Sequence, residues 1–171
     1  SSNEYYGIIN IESKNIGQRK PAHIICGVDV SGSMGINADL KSENGATESY
    51  NLTLLDLNKH GLKTLINCLQ EQDYFTLITY SDYAKVIFKN IRLTNKNKPK
   101  CFSAIEKLDV EGRTNLWDGL KSCLDVANET ENFDINTSIF LMTDGKPNIE
   151  PGRGTVGAFK FYKDRHPNLI C

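Results

Sequence analysis

Asp29, Ser31 and Ser33 stand two residues apart in Val28-Asp29-Val30-Ser31-Gly32-Ser33-Met34. At the end of an extended segment, that spacing can turn one carboxylate and two hydroxyls toward a common point. Gly32 and Gly35 let the backbone make the turn. Thr114 adds a hydroxyl from a second segment, and Asp144 adds a carboxylate from a third. Every donor is oxygen, with no His or Cys among them, which suits Mg²⁺, Mn²⁺ or Ca²⁺ rather than zinc. Two carboxylates and three neutral hydroxyls compensate a divalent ion only in part. Such an ion keeps an open position, so the set favours a metal-bridged contact with a protein presenting Asp or Glu over a closed structural site. Each piece also has a plainer reading. Asp29 and the serines suit a turn or helix cap, Thr114 or Asn115 the cap of a following helix, and Asp144-Gly145 a turn.

These segments need elements to place them. His23 to Val30 is the short apolar run expected of a strand buried on both faces, and Thr137 to Met142 is a second. Tyr74 to Tyr80 is β-branched and aromatic. Lys85 to Phe88 follows it after a short turn at Ser81 to Ala84, so those two strands pair antiparallel. Tyr5 to Ile11 reads as an edge strand, and residues 15–21 as a polar link. Leu52, Leu55, Leu62, Leu65, Ile66 and Leu69 recur at helical offsets. Cys101, Ala104, Ile105 and Leu108 mark a short helix. Leu116, Leu120, Leu124 and Ala127 mark the inward face of another. Ala158 to Arg165 is a weak helix, and Asn168 opens a last strand. Ile36 to Tyr50 is polar, with few apolar anchors, and reads as a surface excursion. The alternation predicts an α/β fold: a doubly wound, mostly parallel central sheet with one antiparallel edge strand and helices on both faces. In such sheets ligands bind beyond the carboxyl ends of the strands, where the segments carrying Asp29, Thr114 and Asp144 fall.

At 171 residues the chain predicts one domain. Lys and Arg total 20 against 21 Asp and Glu, so no net basic charge supports nucleic-acid or acidic-membrane binding. No run of about 18 apolar residues could span a bilayer. The five cysteines, Cys26, Cys68, Cys101, Cys123 and Cys171, are too widely spaced for a zinc site and odd in number for a disulfide framework. Free thiols and a polar Ser1-Ser2-Asn3-Glu4 start point to an intracellular, cytoplasmic setting, with an extracellular one left open. Glycosylation-type triplets at Asn51, Asn128 and Asn136 are expected by chance in an Asn-rich chain. The stretch around Asp29 is unlike aspartate-nucleophile phosphatases, which need an acid two residues on, where Ser31 stands.

Val28 to Met34 resembles the first metal-ion-dependent adhesion site (MIDAS) motif of von Willebrand factor type A domains. Gly112-Arg113-Thr114-Asn115-Leu116-Trp117-Asp118-Gly119-Leu120 resembles the second, and Leu141-Met142-Thr143-Asp144-Gly145 the third, in the same order and spacing. The resemblance covers roughly Pro21 to Cys171. It implies a Rossmann-like domain over 21–171, preceded by an N-terminal edge strand and linker over 1–20. It further implies one divalent cation, Mg²⁺ first with Mn²⁺ or Ca²⁺ as alternatives. Asp29, Ser31, Ser33 and Thr114 would hold it directly or through water, and Asp144 would complete the shell. The implied function is a non-enzymatic protein-protein interaction module. A Mg²⁺-dependent hydrolase and a scaffold with a non-essential metal site are the rival readings. Two departures stand out: the Ile36 to Tyr50 stretch exceeds the family's usual short step, and the sequence stops before the family's last helix, as a C-terminally truncated domain would.

Overall fold

The computed structural model describes residues 19–41, 47–130, 134–145 and 147–167. The expected strands at Tyr5 to Ile11 and from Asn168 onward, and Cys171, lie outside these. Strand β1 (Ala22–Asp29) sits inside a four-stranded sheet of order β5-β4-β1-β6, parallel to both β4 (Tyr74–Tyr80) and β6 (Asn136–Met142). Strand β5 (Ala84–Arg92) runs antiparallel to β4, as the short turn between them requires. The mixed, mostly parallel sheet with covering helices is the expected architecture.

Alternation along β1 divides the core. Ile24, Cys26 and Val28 face one side, where they pack with Leu55, Leu62 and Ile66 of helix α1 (Leu54–Cys68) and with Cys101 and Ile105 of helix α2 (Lys98–Glu106). Ile25 faces the other side, against Ile78 and against Cys123 and Val126 of helix α3 (Leu116–Glu129). Helix α4 (Gly154–Arg165) packs beside α3. Full burial of each large aliphatic side chain contributes about 1.5–3 kcal/mol, so the α1–α2 side carries most of the hydrophobic stabilisation.

Four expectations are corrected. Ile36 to Tyr50 is no loop: β2 (Asn37–Lys41) and β3 (Thr47–Thr53) form an antiparallel ribbon. Its ladder is backbone hydrogen bonding, which leaves no mark in an apolar count. Leu52 therefore lies in β3, exposed, and not on α1. The helix begins after Thr53, whose Oγ1 accepts the Asp56 N–H while Asp56 Oδ2 accepts the Thr53 N–H. On α3 the buried residues are Gly119, Cys123, Leu124 and Val126, so the inward face is turned from the expected Leu116–Leu120–Ala127 line toward its small residues. Finally, β6 stands at the edge of the sheet among the described residues, and Phe140 is 46% exposed.

The end of the sheet opposite the strands' carboxyl termini is held by a buried carboxylate. Asp73 accepts two bonds from the Arg19 guanidinium (2.7 and 2.5 Å) and one each from the Ala22 and Gln70 N–H groups. Burial alone would raise its pKa. The Arg19 fork and the two amides outweigh that and hold the carboxyl down at about 2. Nearby, the buried His23 ring places Nε2 2.9 Å from Thr76 Oγ1, and burial drives its pKa from 6.5 down to about 4. The unfolded chain therefore binds the extra proton between pH 6.5 and 4. Stability is full above 6.5 and falls by ~3 kcal/mol as pH drops through 4. Asp73 acts in a separate window: its contribution is lost only below its ordinary 3.8, toward 2. Urea unfolding at stepped pH is expected to show the first loss in the wild type and a much smaller one in His23→Gln. Equal losses in the two proteins would assign the slope to another group.

Candidate functional site

Strand β1 delivers Asp29 to the carboxyl end of the sheet, and the Val30 N–H bonds to the Tyr80 carbonyl of β4 at 3.0 Å. The chain then turns sharply. Asp29 Oδ1 accepts the Ser31 N–H at 2.8 Å, and residues Gly32–Gly35 form a 3₁₀ turn whose Met34 plugs into the α1–α2 side of the core. The turn leaves the Ser31 and Ser33 hydroxyl oxygens 3.2 Å apart. The three residues of the first segment are thus brought to one place, with Asp29 and Ser31 buried.

Thr114 arrives by a backbone seam. The Glu111 N–H bonds to the Val30 carbonyl (2.6 Å), and the Gly32 N–H to the Gly112 carbonyl (3.2 Å). Gly112 has φ of +62°, and a Cβ there would stand 2.7 Å from Asp82 Oδ2, so only glycine fits. From the other side Asn148 brackets Thr114: its Oδ1 accepts the Thr114 N–H at 2.8 Å, and its N–H donates to the Thr114 carbonyl at 3.1 Å. The helix cap is Asn115, whose Oδ1 accepts the Asp118 N–H. Thr114 is therefore buried without a capping duty. Asp118 in turn accepts the Ala84 N–H at 2.7 Å, and the Asn115 N–H donates to the Ser81 carbonyl at 2.8 Å, so the turn after β4 clamps the start of α3.

The third segment follows β6. Thr143, not singled out in the sequence, donates from Oγ1 to Asp29 Oδ2 at 3.1 Å, and Asp144 beside it is exposed at the same end of the sheet. The phenol of buried Tyr80 lies below, donating to the Met142 carbonyl at 3.1 Å. Its pKa is raised, first by burial; the Thr143 hydrogen bond pulls the other way, and the charges of Asp29 and Asp144 add to the rise. The exposed rim carries two ion pairs, Arg113 with Asp82 and Lys85 with Glu111. Ser81 and Asp82, in the turn after β4, also serve the site from behind through their carbonyls.

The electrostatics single out Asp29. Its carboxylate is fully buried and accepts hydrogen bonds only from neutral donors, with no ion-pair partner among the described residues. A buried carboxylate without a countercharge is costly unless a cation completes it. The donors around it are hydroxyls. Among the described residues no three His, Cys, Asp or Glu side chains gather to hold a metal, so an ion here would rely on Ser31, Ser33 and Thr114. The residues fit a hard divalent cation.

The model of the von Willebrand factor type A domain family matches residues 24–146. Escherichia coli K12 protein YfbK is 35% identical over 98 residues, which are 56% of this chain and 16% of YfbK. A von Willebrand factor type A structure from Catenulispora acidiphila superposes with a TM-score of 0.67 at 19% identity, over 82% of this chain and 30% of its own. The PilB minor pilin of Streptococcus sanguinis gives a TM-score of 0.61 at 23% identity, over 81% and 34%. Those two likenesses show the fold. This chain spans a small part of each of these proteins.

Proposed function

The chain belongs to the von Willebrand factor type A domain family, a common protein-interaction module, and we propose that it binds its partner through a divalent cation at the Asp29 site. The observation that carries this reading is the buried Asp29 carboxylate, surrounded by hydroxyls and lacking a countercharge among the described residues. Asp29, Ser31, Ser33 and Thr114 would hold the ion, Mg²⁺ first, with Asp144 in support from its exposed position. When bound, the ion supplies a Lewis-acidic position for an Asp or Glu of the partner.

The chain's own residues set the geometry. The seam between Val30, Gly32, Glu111 and Gly112 fixes the distance between the first two segments. Thr143 orients the second Asp29 oxygen. The rim residues Asp82, Lys85, Glu111 and Arg113, together with the β2–β3 ribbon, supply selectivity. A binding role fits better than turnover because no histidine stands at the site: His23 bonds Thr76, and His166 bonds the Tyr162 carbonyl.

Calorimetric titration of chelator-treated protein is expected to show saturable one-site binding of Mg²⁺, weakened on the order of tenfold by Thr114→Ala. An absence of binding by correctly folded wild type, judged by its melt, would overturn the metal reading and leave a metal-independent scaffold.

A further inference from the structure

Helices α3 and α4 enclose a cleft of about 740 Å³. Its α3 wall is the stripe Trp117, Lys121 and Asp125, spaced one helical turn apart. Buried Tyr162 of α4 closes it, donating its OH to Asp125 Oδ1 at 2.7 Å and meeting the Trp117 ring edge-on at 6.3 Å between centroids. Lys121 Nζ donates to the other Asp125 oxygen at 2.6 Å. The one carboxylate in the lining is thus already satisfied.

Two cations of the lining, Arg153 at the cap of α4 and Arg165 in its last turn, are not. The guanidinium carbons of Arg153 and Arg165 lie 4.4 and 4.0 Å from the centroid of the Phe161 ring. Neither is ion-paired with a carboxylate among the described residues. A guanidinium lying over an aromatic ring leaves its in-plane N–H groups pointing outward, in the fork that matches a carboxylate. The cleft therefore offers two pre-oriented anion receptors beside an aromatic wall. It also opens next to the candidate metal site. Trp117 is in the first turn of α3, three residues beyond Thr114, and Arg153 closes the segment that begins at the Thr114 bracket, Asn148.

We propose that this cleft is a second docking surface, taking an acidic peptide segment of the same partner whose Asp or Glu engages the Asp29 site. Arg153 and Arg165 receive its carboxylates, and Trp117 packs against an adjoining apolar side chain. The identity of the occupant rests on the proposed function, but the cleft's affinity for acidic peptide needs no metal.

Trp117 is the chain's single tryptophan, so its emission reports on the cleft directly. The probe is hexaglutamate, titrated into the whole chain in chelator at low salt, with hexaglutamine as control. The expected result is a saturable change with hexaglutamate alone. Its affinity should fall on the order of tenfold or more in the double variant Arg153→Glu, Arg165→Glu, and should weaken with added salt. Both arginines are exposed, so an unchanged melt verifies that the variant is folded. Asp29→Asn should bind the peptide as the wild type does, which separates failure of the metal reading from failure of this one. The proposal is overturned by a flat titration, by equal affinity in the double variant, or by inorganic phosphate reproducing the change at the same concentration, which would assign the cleft to a small free anion.

Discussion

Asp29→Asn is expected to raise the melting temperature of chelator-treated protein and to abolish the further rise that Mg²⁺ gives the wild type. The substitution keeps the shape and both hydrogen bonds: the amide oxygen accepts the Ser31 N–H, and the Thr143 hydroxyl rotates to accept from the new NH₂. What disappears is the charge. In the wild type without metal, that carboxylate is buried among neutral donors, and the variant puts a neutral amide in its place that needs no countercharge. In a chain of this size each kcal/mol moves the melt by about 2–4 °C. With Mg²⁺ at about a hundred times its Kd, the wild type gains ~2.7 kcal/mol, or roughly 5–10 °C, and the variant gains nothing. The two changes have opposite signs, so general damage cannot imitate them. A variant that is less stable in chelator and still stabilised by Mg²⁺ would remove Asp29 from the ion's shell.

Gly119→Ala is expected to be among the most damaging single changes, although helix propensity argues the other way. In the interior of α3 alanine should gain about 1 kcal/mol over glycine. The new Cβ, however, would stand 2.4 and 2.5 Å from Cδ1 and Cγ of Tyr80. Tyr80 has nowhere to retreat, being fully buried with its hydroxyl tied to the Met142 carbonyl. Overpacking of this kind costs ~1–3 kcal/mol and more where the neighbour is pinned, so the net loss is about 2 kcal/mol. Because α3 begins beside Thr114, Mg²⁺ affinity should weaken as well. Gly61→Ala is the matched control. On α1 nothing lies within 4 Å of where its new methyl would stand, so propensity acts alone and the variant should gain up to about 1 kcal/mol. Urea unfolding of the pair decides the point, and two variants of similar stability would refute the packing argument.

These two sites also mark where the sequence is readable. Strand β4 is legible to the residue, and β1 within one at each end, because burial on both faces calls for a short run of apolar, β-branched and aromatic residues bounded by turns. The inward face of α3 is not, because a count of large apolar residues passes over Gly119 and Cys123, whose smallness is what lets the helix approach Tyr80. The ribbon is invisible because its ladder belongs to the backbone. At the site, Asp29, Ser31 and Ser33 can be found together because one turn holds all three. Thr143 and Asn148 escape for the opposite reason: they act on partners 114 and 34 residues away, and neither side chain announces that partner locally.

The ribbon has a further consequence. Asn37 pairs with Thr53 at its base, and the Leu54 N–H bonds to the Ile36 carbonyl at 3.0 Å, so the excursion leaves and rejoins the domain at neighbouring points. A segment whose ends already meet can change length with little effect on closure entropy, about 0.6 kcal/mol for each doubling. The domain therefore carries an interchangeable cassette directly after the turn that holds Ser31 and Ser33. Residues 37–53 can be shortened, extended or replaced by a foreign hairpin while Asp29, Thr114 and the seam between them stay in place. Partner preference could then be rewritten in that cassette, by evolution or by an engineer, without refolding the rest.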